Sequence, residues 1–328
     1  MKLLDCSLRD GGYVNDWYFN KEHARACYNT VKECGIEYCE VGFRRTIPSS
    51  GPWFYTPESL VNETFKDIIV PDCKLALMAQ MGTFTIGDFL PKSSSLISMV
   101  RVLVAYHCKD KDDSKLNTEL LHDTVDMCKK LNNLGYEVCI NIGRIDKMTE
   151  DQIKETCEII KDAPIKYFYI ADTYGNLGIY KMRNILETIK KHHDGPIGFH
   201  AHDNLKNASV KAIDALYNGS EIVDVTFGGF GRGSGNAKTE YVLAHMENKG
   251  DYKLLPALIY SDKWVESYKK SGIPYLLSGM KSMHVNYAIE VIEKHEDLTI
   301  SKVYDIFEKI VKDNKHNFYS SDVLTQYM

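Results

Sequence analysis

Two histidines one residue apart, His200 and His202, are the sharpest chemical signal in this 328-residue sequence. Residues two positions apart on a β-strand point to the same face, so two imidazoles at a strand end can bind one cation. A His-x-His pair alone is a weak signal. It gains weight because Asp203 and Asn204 follow and because Asp10 offers a third ligand. Two histidines and a carboxylate leave coordination positions open for substrate and water, a ligand set that also suits non-haem iron oxygenases.

Arg9, directly before Asp10, is the candidate for stabilising negative charge. An exposed salt bridge between the two residues would contribute little to stability. We favour the alternative that Arg9 donates hydrogen bonds to an oxyanion on a metal-bound substrate. Glu40 is a further candidate: it either binds substrate or is a carboxylate that holds Arg9 or a metal ligand in place.

A glycine-rich stretch, residues 228–235, contains five glycines in eight positions. Barrel proteins often bind phosphate after their last two strands, so this stretch could cradle a phosphate. The alternative is a tight turn that brings Asn236 to the rim of the site. The stretch is not a dinucleotide-binding fingerprint, which belongs after the first strand of a βαβ unit. The sequence leaves the first two alternatives open.

Short apolar runs alternate with segments of helical spacing, which predicts parallel βαβ units. The eight candidate strands are Lys2–Cys6, Ile36–Val41, Lys74–Ala79, Met99–Ala105, Glu137–Ile142, Tyr167–Ala171, Ile197–Ala201 and Ile222–Thr226. A doubly wound open sheet would also fit. The count of eight favours an α/β fold of the (β/α)8 TIM barrel type, whose active site lies at the carboxyl ends of the strands. The first and seventh strands are close in a closed barrel, so Asp10 can reach His200.

The chain is longer than a barrel of about 250 residues requires. We therefore expect a barrel over residues 1–250 and a helical C-terminal domain over residues 251–328. A net charge of −5 argues against a nucleic-acid-binding protein, and no apolar run is long enough to span a membrane. Nine cysteines without a C-x-x-C pair indicate buried, reduced thiols, and the N-terminus lacks a secretory signal, so we expect a cytoplasmic protein.

Several of these motifs together resemble a known group of metal-dependent barrels. They are Leu8–Gly11, Glu40–Gly42, His200–Asn204, and Gly231–Asn236 followed by Thr239-Glu240. In this combination and order they resemble the pyruvate carboxylase/HMG-CoA lyase-like superfamily. The opening segment, Leu4–Trp17, is most similar to the 4-hydroxy-2-oxovalerate aldolase branch, which also has a helical region after its barrel.

The resemblance implies a divalent metal, Mn²⁺ or Mg²⁺, on Asp10, His200 and His202. Asn236 matches a further ligand in the HMG-CoA lyases, and Arg9 matches the arginine that stabilises the enolate. The implied reaction cleaves or forms a carbon–carbon bond next to a carbonyl, with a 4-hydroxy-2-oxo acid giving pyruvate and an aldehyde. The metal acts as a Lewis acid in this chemistry. A 2-oxo acid and an aldehyde are thus the expected small-molecule partners.

The sequence departs from the aldolase branch at the catalytic base. That branch has a histidine where this chain has Tyr13, and a phenol with a pKa of about 10 is a poor base at neutral pH. Tyr13 could take a modified catalytic role, or another residue or a metal-bound water could accept the proton. His107 and Asp172, after the fourth and sixth predicted strands, are candidates for this role or for substrate binding. Tyr287 matches a tail tyrosine near the active site of these aldolases, although helical tyrosines more often pack in a core.

Two other functions remain open at this point. One is a Claisen-type synthase or lyase of the same superfamily that uses an acyl-CoA. HMG-CoA lyases have a cysteine in a loop near strand eight, whereas no cysteine follows Cys157 here. The other is a metal-binding barrel that has lost catalysis. The resemblance also implies an acylating aldehyde dehydrogenase as a partner protein, and we expect a homo-oligomer.

Overall fold

Eight parallel strands form one closed barrel. The computed structural model describes residues 1–104, 108–109, 112–246, 252–265, 272–281, 283, 286–295, 297–316 and 319–328. The barrel strands are β1 (Lys2–Asp5), β2 (Tyr38–Phe43), β3 (Lys74–Gln80), β4 (Ile97–Val104), β5 (Glu137–Ile142), β6 (Tyr167–Asp172), β7 (Ile197–Ala201) and β8 (Ser220–Val225). Each strand pairs with the next, and β8 closes on β1 with Asp5 opposite Val225. This closure confirms the TIM barrel and excludes the open sheet.

Helices surround the barrel and continue after it. They are α1 (Ser7–Asn15), α2 (Lys21–Glu33), α3 (Glu58–Phe65), α4 (Thr118–Asn133), α5 (Glu150–Ile160), α6 (Ile179–His192), α7 (Ala208–Tyr217), α8 (Thr239–Met246), α9 (Leu255–Trp264), α10 (Gly272–Met280), α11 (Asn286–Lys294), α12 (Ile300–Lys312) and α13 (Ser321–Tyr327). The β3–β4 connection has two short 3-10 turns in place of an α-helix. Cys108–Lys109 and Asp112–Leu116 pair as a small antiparallel hairpin after β4.

The first helix, α1, was not predicted, because we read the residues after β1 as the loop at a strand end. Gly11 and Gly12 weaken the helical signal there, since glycine is a poor helix former. Both are needed for packing: an added Cβ would lie 2.2 Å from the ring of Phe230 at Gly11 and 2.1 Å from the ring of Trp17 at Gly12. The helix therefore forms with aromatic rings pressed against its backbone, and its first turn carries Arg9.

The barrel interior has an apolar layer and, beside it, a charged one. The apolar cluster consists of Leu4, Cys6, Tyr38, Ala76, Met99, Cys139, Tyr167, Tyr169 and Ile222. The charged layer is centred on Arg101, which is fully buried between Glu40 and Asp224. A second hydrophobic cluster lies between the barrel and its helices and extends into the C-terminal helices, as far as Leu324.

The helices after the barrel pack against it. Tyr260 of α9 shares a hydrogen bond of 2.7 Å with His23 of α2, and its ring lies 4.5 Å from that of Phe227. Ser261 donates a hydrogen bond to the buried carboxylate of Glu240 in α8. The predicted helical extension is therefore present and is joined to the barrel by apolar and polar contacts. The boundary at residue 250 stays a prediction.

Two expectations from composition can be compared with the structure. The eight cysteines whose side chains are described are all buried and form no disulfide, as expected for reduced thiols. Within the described part of the chain, no helix combines the length and the apolar character that crossing a membrane requires.

Candidate metal centre and active site

Three predicted metal ligands meet at the carboxyl end of the barrel. Asp10 lies in the first turn of α1, His200 lies near the end of β7, and His202 follows that strand. One ligand atom from each lies within 4.8 Å of the others, and all three residues are buried. Asp10 Oδ2 is 3.6 Å from His200 Nε2, and the two imidazole centroids are 4.9 Å apart. Ligand atoms at these separations can converge on one cation.

Hydrogen bonds orient both imidazoles. His200 Nδ1 lies 2.9 Å from Asp224 Oδ2, and His202 Nδ1 lies 3.4 Å from the carbonyl oxygen of Gly235. With Nδ1 donating in each ring, Nε2 keeps the lone pair that a metal needs. Asp224 was not among the predicted site residues. A charge within the apolar strand β8 was the available signal, because buried charges are rare unless paired.

A second group of possible ligands, Cys6, His200 and Asp224, shares one histidine with the first. Asp224 Oδ2 already accepts hydrogen bonds from His200 and from Arg101 Nη2, the latter at 2.6 Å. Burial raises the pKa of the Cys6 thiol well above its ordinary value, which disfavours the thiolate form that binds metals. Of the two groups, the one that contains Asp10 and His202 is therefore the better candidate for a cation site.

The protonation states suit a cation. Burial alone would raise the pKa of Asp10, but the charges of Arg9, His202 and His200 and the amide of Arg232 hold it well below its ordinary value. Burial lowers the pKa of His202 to about 4. At neutral pH Asp10 is therefore ionised and His202 is neutral, which are the forms that bind a metal ion.

Asn236 lies beside this group. Its side chain is buried, its Nδ2 donates to the carbonyl of Phe230 at 3.3 Å, and its Oδ1 has no hydrogen-bond partner among the residues that the structure describes. An added Cβ at Gly231 would lie 2.0 Å from Asn236 Nδ2 and 2.9 Å from Asp10 Oδ1, so the two side chains flank the same glycine. A buried amide oxygen without a partner is costly, and it fits the role of a further ligand.

The glycine-rich stretch forms the turn that positions Asn236. Its amides are mostly used within the protein: Gly228 donates to the carboxylate of Glu240 at 2.9 Å, and Arg232 donates to Asp10 Oδ1 at 3.0 Å. The amide of Gly235 donates to the carbonyl of Arg232 at 3.1 Å. Because a phosphate cradle needs free amides, this geometry favours the turn of the two alternatives that the sequence left open.

Arg9 is held by two carboxylates. Its Nε donates to Glu40 Oε2 at 2.7 Å, and its Nη1 donates to Asp10 Oδ2. The same Glu40 oxygen accepts from Arg101 Nη1 at 2.9 Å. Glu40 is fully buried beneath Arg9 and is absent from the described lining of the cavity. Of its two predicted roles, the structure therefore favours holding Arg9 in place over contacting substrate.

The ligands open into a cavity of about 170 Å³. Its lining includes the predicted residues Arg9, Asp10, Tyr13, His200 and His202. Gln80, Asn141, Thr173 and Arg232 also line it, and none of these four was among the predicted site residues. The Asn141 Oδ1 atom is buried and has no hydrogen-bond partner within the described part of the chain. The candidate cation site, Arg9 and Asn141 therefore all face the same cavity.

Tyr13 lies at the mouth of this cavity and is 40% exposed. Its ring is 4.6 Å from that of Trp17, and the guanidinium of Arg232 lies 5.3 Å from its centroid. Burial raises the pKa of the Tyr13 phenol above its ordinary value of 10.0, although Arg9, Arg232 and Arg45 act in the opposite direction. The phenol is therefore protonated at neutral pH and can donate a hydrogen bond, but it is a poor base.

Two predicted site residues, Asp172 and Tyr287, do not join this group in the described structure. The Asp172 carboxylate pairs with Lys211 and accepts from the amides of Asn176 and Leu177, so it anchors the loop after β6 and does not line the cavity. Tyr287 is buried in α11, where its hydroxyl donates to the carbonyl of Lys315 at 3.1 Å. Neither geometry supports substrate binding. His107 lies outside the described residues.

Known proteins resemble this chain in sequence and in fold. The profile of the HMGL-like family matches residues 1–263. The 4-hydroxy-2-oxovalerate aldolase of Bacillus cereus is 28% identical over 258 residues, 77% of this chain and 71% of that protein. The oxaloacetate decarboxylase of Mycobacterium tuberculosis is 26% identical over 260 residues, 76% of this chain and 70% of that protein. The crystal structure of hydroxymethylglutaryl-CoA lyase from Pseudomonas aeruginosa has a TM-score of 0.67 at 15% identity, covers 82% of this chain and 95% of that one, and shows the fold alone.

Proposed function

The chain belongs to the HMGL-like family, and on that premise we propose that it is a divalent-metal-dependent aldolase. It cleaves a 4-hydroxy-2-oxo acid to pyruvate and an aldehyde, or forms the acid from them. The observation that carries the proposal is the convergence of Asp10, His200 and His202 in a cavity that Arg9 also lines. The similarity to curated 4-hydroxy-2-oxovalerate aldolases supports the substrate class.

Four residues would hold the metal: Asp10, His200, His202 and Asn236. The unpartnered Oδ1 of Asn236, the ionised Asp10 and the neutral His202 fit Mn²⁺ or Mg²⁺. When bound, such a cation supplies a Lewis acid for the keto and carboxylate oxygens of a 2-oxo acid.

Arg9 stabilises the charge that develops during cleavage. When the C3–C4 bond breaks, its electron pair forms the C2–C3 double bond of the pyruvate enolate, and negative charge develops on the C2 oxygen. Because Glu40 and Asp10 already fix the Arg9 guanidinium, it can donate hydrogen bonds to this oxyanion with little reorganisation. C3 is then protonated to give pyruvate.

The C4 hydroxyl must lose its proton as the aldehyde carbonyl forms. Tyr13 is a poor acceptor because burial raises the pKa of its phenol, so it instead donates a hydrogen bond to the departing aldehyde oxygen. Asp172 is already paired with Lys211. His107 therefore stays the proposed acceptor. Replacing His107 by alanine is expected to lower kcat in the assay described next.

A coupled assay tests this function. Purified protein with Mn²⁺ is mixed with 4-hydroxy-2-oxopentanoate, lactate dehydrogenase and NADH, and the expected result is NADH oxidation by the pyruvate released. His200→Ala should lose both this signal and the bound metal, measured by elemental analysis after dialysis. The matched control is His192→Ala, because His192 is exposed at the end of α6. Absence of pyruvate across a series of 4-hydroxy-2-oxo acids would refute the aldolase.

A second candidate function is decarboxylation of a 2-oxo acid with a carboxylate at C4, as in the relative named oxaloacetate decarboxylase. Tyr13 is the observation that favours it: loss of carbon dioxide breaks the same C3–C4 bond but leaves no hydroxyl proton to remove. Release of carbon dioxide from oxaloacetate tests it, after subtraction of the rate with Mn²⁺ alone. The Claisen alternative predicts free thiol from acetyl-CoA and a 2-oxo acid, which the same preparation can be tested for.

A further inference from the structure

Most arginines of the described structure are paired with carboxylates. Five of the eight arginines in the sequence form such pairs: Arg9 with Glu40 and Asp10, Arg25 with Asp67, Arg44 with Glu58, Arg101 with Glu40 and Asp224, and Arg183 with Asp214. Arg45 and Arg232 have no carboxylate partner among the residues that the structure describes. Arg45 follows β2 and Arg232 follows β8, so both lie at the end of the barrel that holds the cavity.

The backbone of Arg232 is held by a hydrogen bond, whereas its guanidinium has no hydrogen-bond acceptor among the described residues. Its amide donates to Asp10 Oδ1 at 3.0 Å, which ties it to a proposed metal ligand. Its side chain lines both the 170 Å³ cavity and an adjoining cavity of about 160 Å³, and Thr173 and His202 are also common to the two. The guanidinium lies 5.3 Å from the centroid of Tyr13 and makes no described hydrogen bond to an acceptor. A ligand that enters from the site can therefore reach it.

Arg45 adds a second positive charge close by. Its guanidinium is 4.1 Å from the ring of Phe54 and 5.5 Å from that of Phe43, and it donates to the amide oxygen of Gln80 at 3.3 Å. Phe43 and Gln80 both line the cavity. Burial lowers the pKa of Arg45, since no carboxylate compensates the loss of water around it. A half-buried cation without a counter-ion favours the binding of an anion.

The positive charges of Arg45 and Arg232 are more than a 2-oxo acid with a single carboxylate needs for binding. The single carboxylate of a simple substrate would be bound by the metal that Asp10, His200 and His202 would hold, and Arg9 is already balanced by Glu40 and Asp10. We propose that the substrate is a 4-hydroxy-2-oxo acid with a second anionic group beyond C4, and that Arg232, assisted by Arg45, binds that group. This inference rests on the proposed aldolase function and narrows its substrate class to dianions, with a carboxylate or a phosphate at the far end.

The position of the charge distinguishes aldol cleavage from decarboxylation. In aldol cleavage, the C3–C4 electrons pass to the enolate, the C4 hydroxyl proton passes to the acceptor, and the aldehyde keeps its anionic group. The guanidinium then holds the same charge before and after the bond breaks. In decarboxylation the far carboxylate becomes neutral carbon dioxide, so a guanidinium on it would stabilise the ground state more than the transition state. A distal anion site therefore favours aldol cleavage.

Binding of two inert analogues tests the charge preference. The analogues 2-oxoglutarate and 2-oxopentanoate have equal carbon chains and differ in the terminal carboxylate, and neither can be cleaved. Calorimetry with Mn²⁺-loaded protein should give about tenfold or more tighter binding of 2-oxoglutarate, as expected for a charge-assisted pair. Arg232→Gln should remove this preference and leave 2-oxopentanoate binding nearly unchanged, and Arg45→Gln should reduce it. The matched control is Arg183→Gln, which removes an exposed arginine of α6 that pairs with Asp214 of α7. Equal binding of the analogues by the unaltered protein would overturn the proposal.

Kinetic measurements then distinguish a terminal carboxylate from a terminal phosphate. They also test the anion site separately from the aldolase function. We expect kcat/KM for 4-hydroxy-2-oxoglutarate, or for a phosphate-terminated 4-hydroxy-2-oxo acid, to exceed that for neutral-ended 4-hydroxy-2-oxopentanoate, and the better substrate identifies the anion. Arg232→Gln should raise KM for the dianion alone. An equal loss with both kinds of substrate refutes the anion site but leaves the aldolase function standing. A dianion preference in binding without pyruvate release refutes the aldolase function but not the anion site.

Discussion

At the scale of single residues, the chemistry depends on side chains that do not touch substrate. Asp224 orients His200, and Arg101 links Asp224 to Glu40, which in turn holds Arg9. Each of these buried charges is stabilised only because its partners are present, since an uncompensated buried charge is strongly destabilising. The network therefore fixes the positions of His200, a proposed metal ligand, and of Arg9, the proposed enolate-stabilising residue, at the same time.

Asp224→Asn tests the orienting role. The substitution keeps the shape of the side chain but removes the carboxylate that fixes His200, so Mn²⁺ affinity should fall about 10–100-fold. Titration of Mn²⁺ followed by electron paramagnetic resonance measures this loss. The control is Asp214→Asn, which breaks a pair with Arg183 at the helical surface. An unchanged Mn²⁺ affinity in a folded Asp224→Asn protein would contradict the assigned role.

At the scale of elements, α1 and the turn between β8 and α8 act together. The ring of Phe230 lies against Gly11 of α1, and the next turn of the chain places the Arg232 amide on Asp10. Asp10, the proposed metal ligand on α1, is therefore positioned by a segment more than 200 residues away in the sequence. A shift in either element should therefore weaken cation binding at the proposed site.

Gly11→Ala tests this coupling. The new methyl group would overlap the Phe230 ring, whose nearest atom is 2.2 Å from the Cβ position. We expect a destabilisation of about 1–3 kcal/mol, measured by urea denaturation, together with weaker Mn²⁺ binding. Gly178→Ala is the control, because an added Cβ there meets no atom within 4 Å. Normal Mn²⁺ binding by Gly11→Ala would argue that the turn and α1 are independent.

At the scale of the whole molecule, the C-terminal helices and the barrel share one hydrophobic cluster. Leu258 of α9 is fully buried in it, and Tyr260 and Ser261 of the same helix contact the barrel through His23 and Glu240. The structure thus gives no reason for the described helices after residue 250 to unfold separately from the barrel.

Leu258→Ala should therefore lower the stability of the whole chain. Removal of a buried leucine side chain costs about 2–5 kcal/mol. The transitions followed by tryptophan fluorescence and by far-ultraviolet circular dichroism should move together to lower urea concentration. Leu205→Ala is the control, because Leu205 is 61% exposed. A separate early transition that leaves the remaining transition unchanged would show that the helical region is an independent domain.

Glu240 adds a pH dependence to the same contact. Burial raises its pKa from 4.5 to about 7, despite hydrogen bonds from Ser261 and Gly228. Between these values the folded protein keeps a proton that the unfolded chain has released, so the contribution of Glu240 to stability falls as pH rises. The unfolding free energy of the unaltered protein, relative to Glu240→Gln, should decline from about pH 5 to pH 7 and level off above that.

Comparing the two proteins isolates Glu240 from the other groups that titrate in this range. His202, whose pKa burial lowers, affects both proteins alike and in the opposite direction. Urea denaturation across this pH range measures the difference. A constant difference in unfolding free energy would mean that Glu240 is ionised throughout.

The sequence by itself determined the barrel and its chemical centre. Buried parallel strands require near-continuous apolar runs, and these are local patterns that a sequence displays directly. Because the carboxyl ends of barrel strands share one rim, the sequence alone predicts that His200, His202 and Asp10 lie close together, and the structure brings these three residues together.

Tertiary structure decided what depends on contacts between distant segments. α1 was missed because its glycines are explained only by the rings of Phe230 and Trp17. Asp172 looked like a rim residue, but its carboxylate is paired with Lys211 of α7. The pairing of arginines with carboxylates depends on distances across the barrel. Only those distances show that Arg232 has no carboxylate partner among the described residues and can bind a ligand. Pairing of this kind has no sequence period, so only the folded chain reveals it.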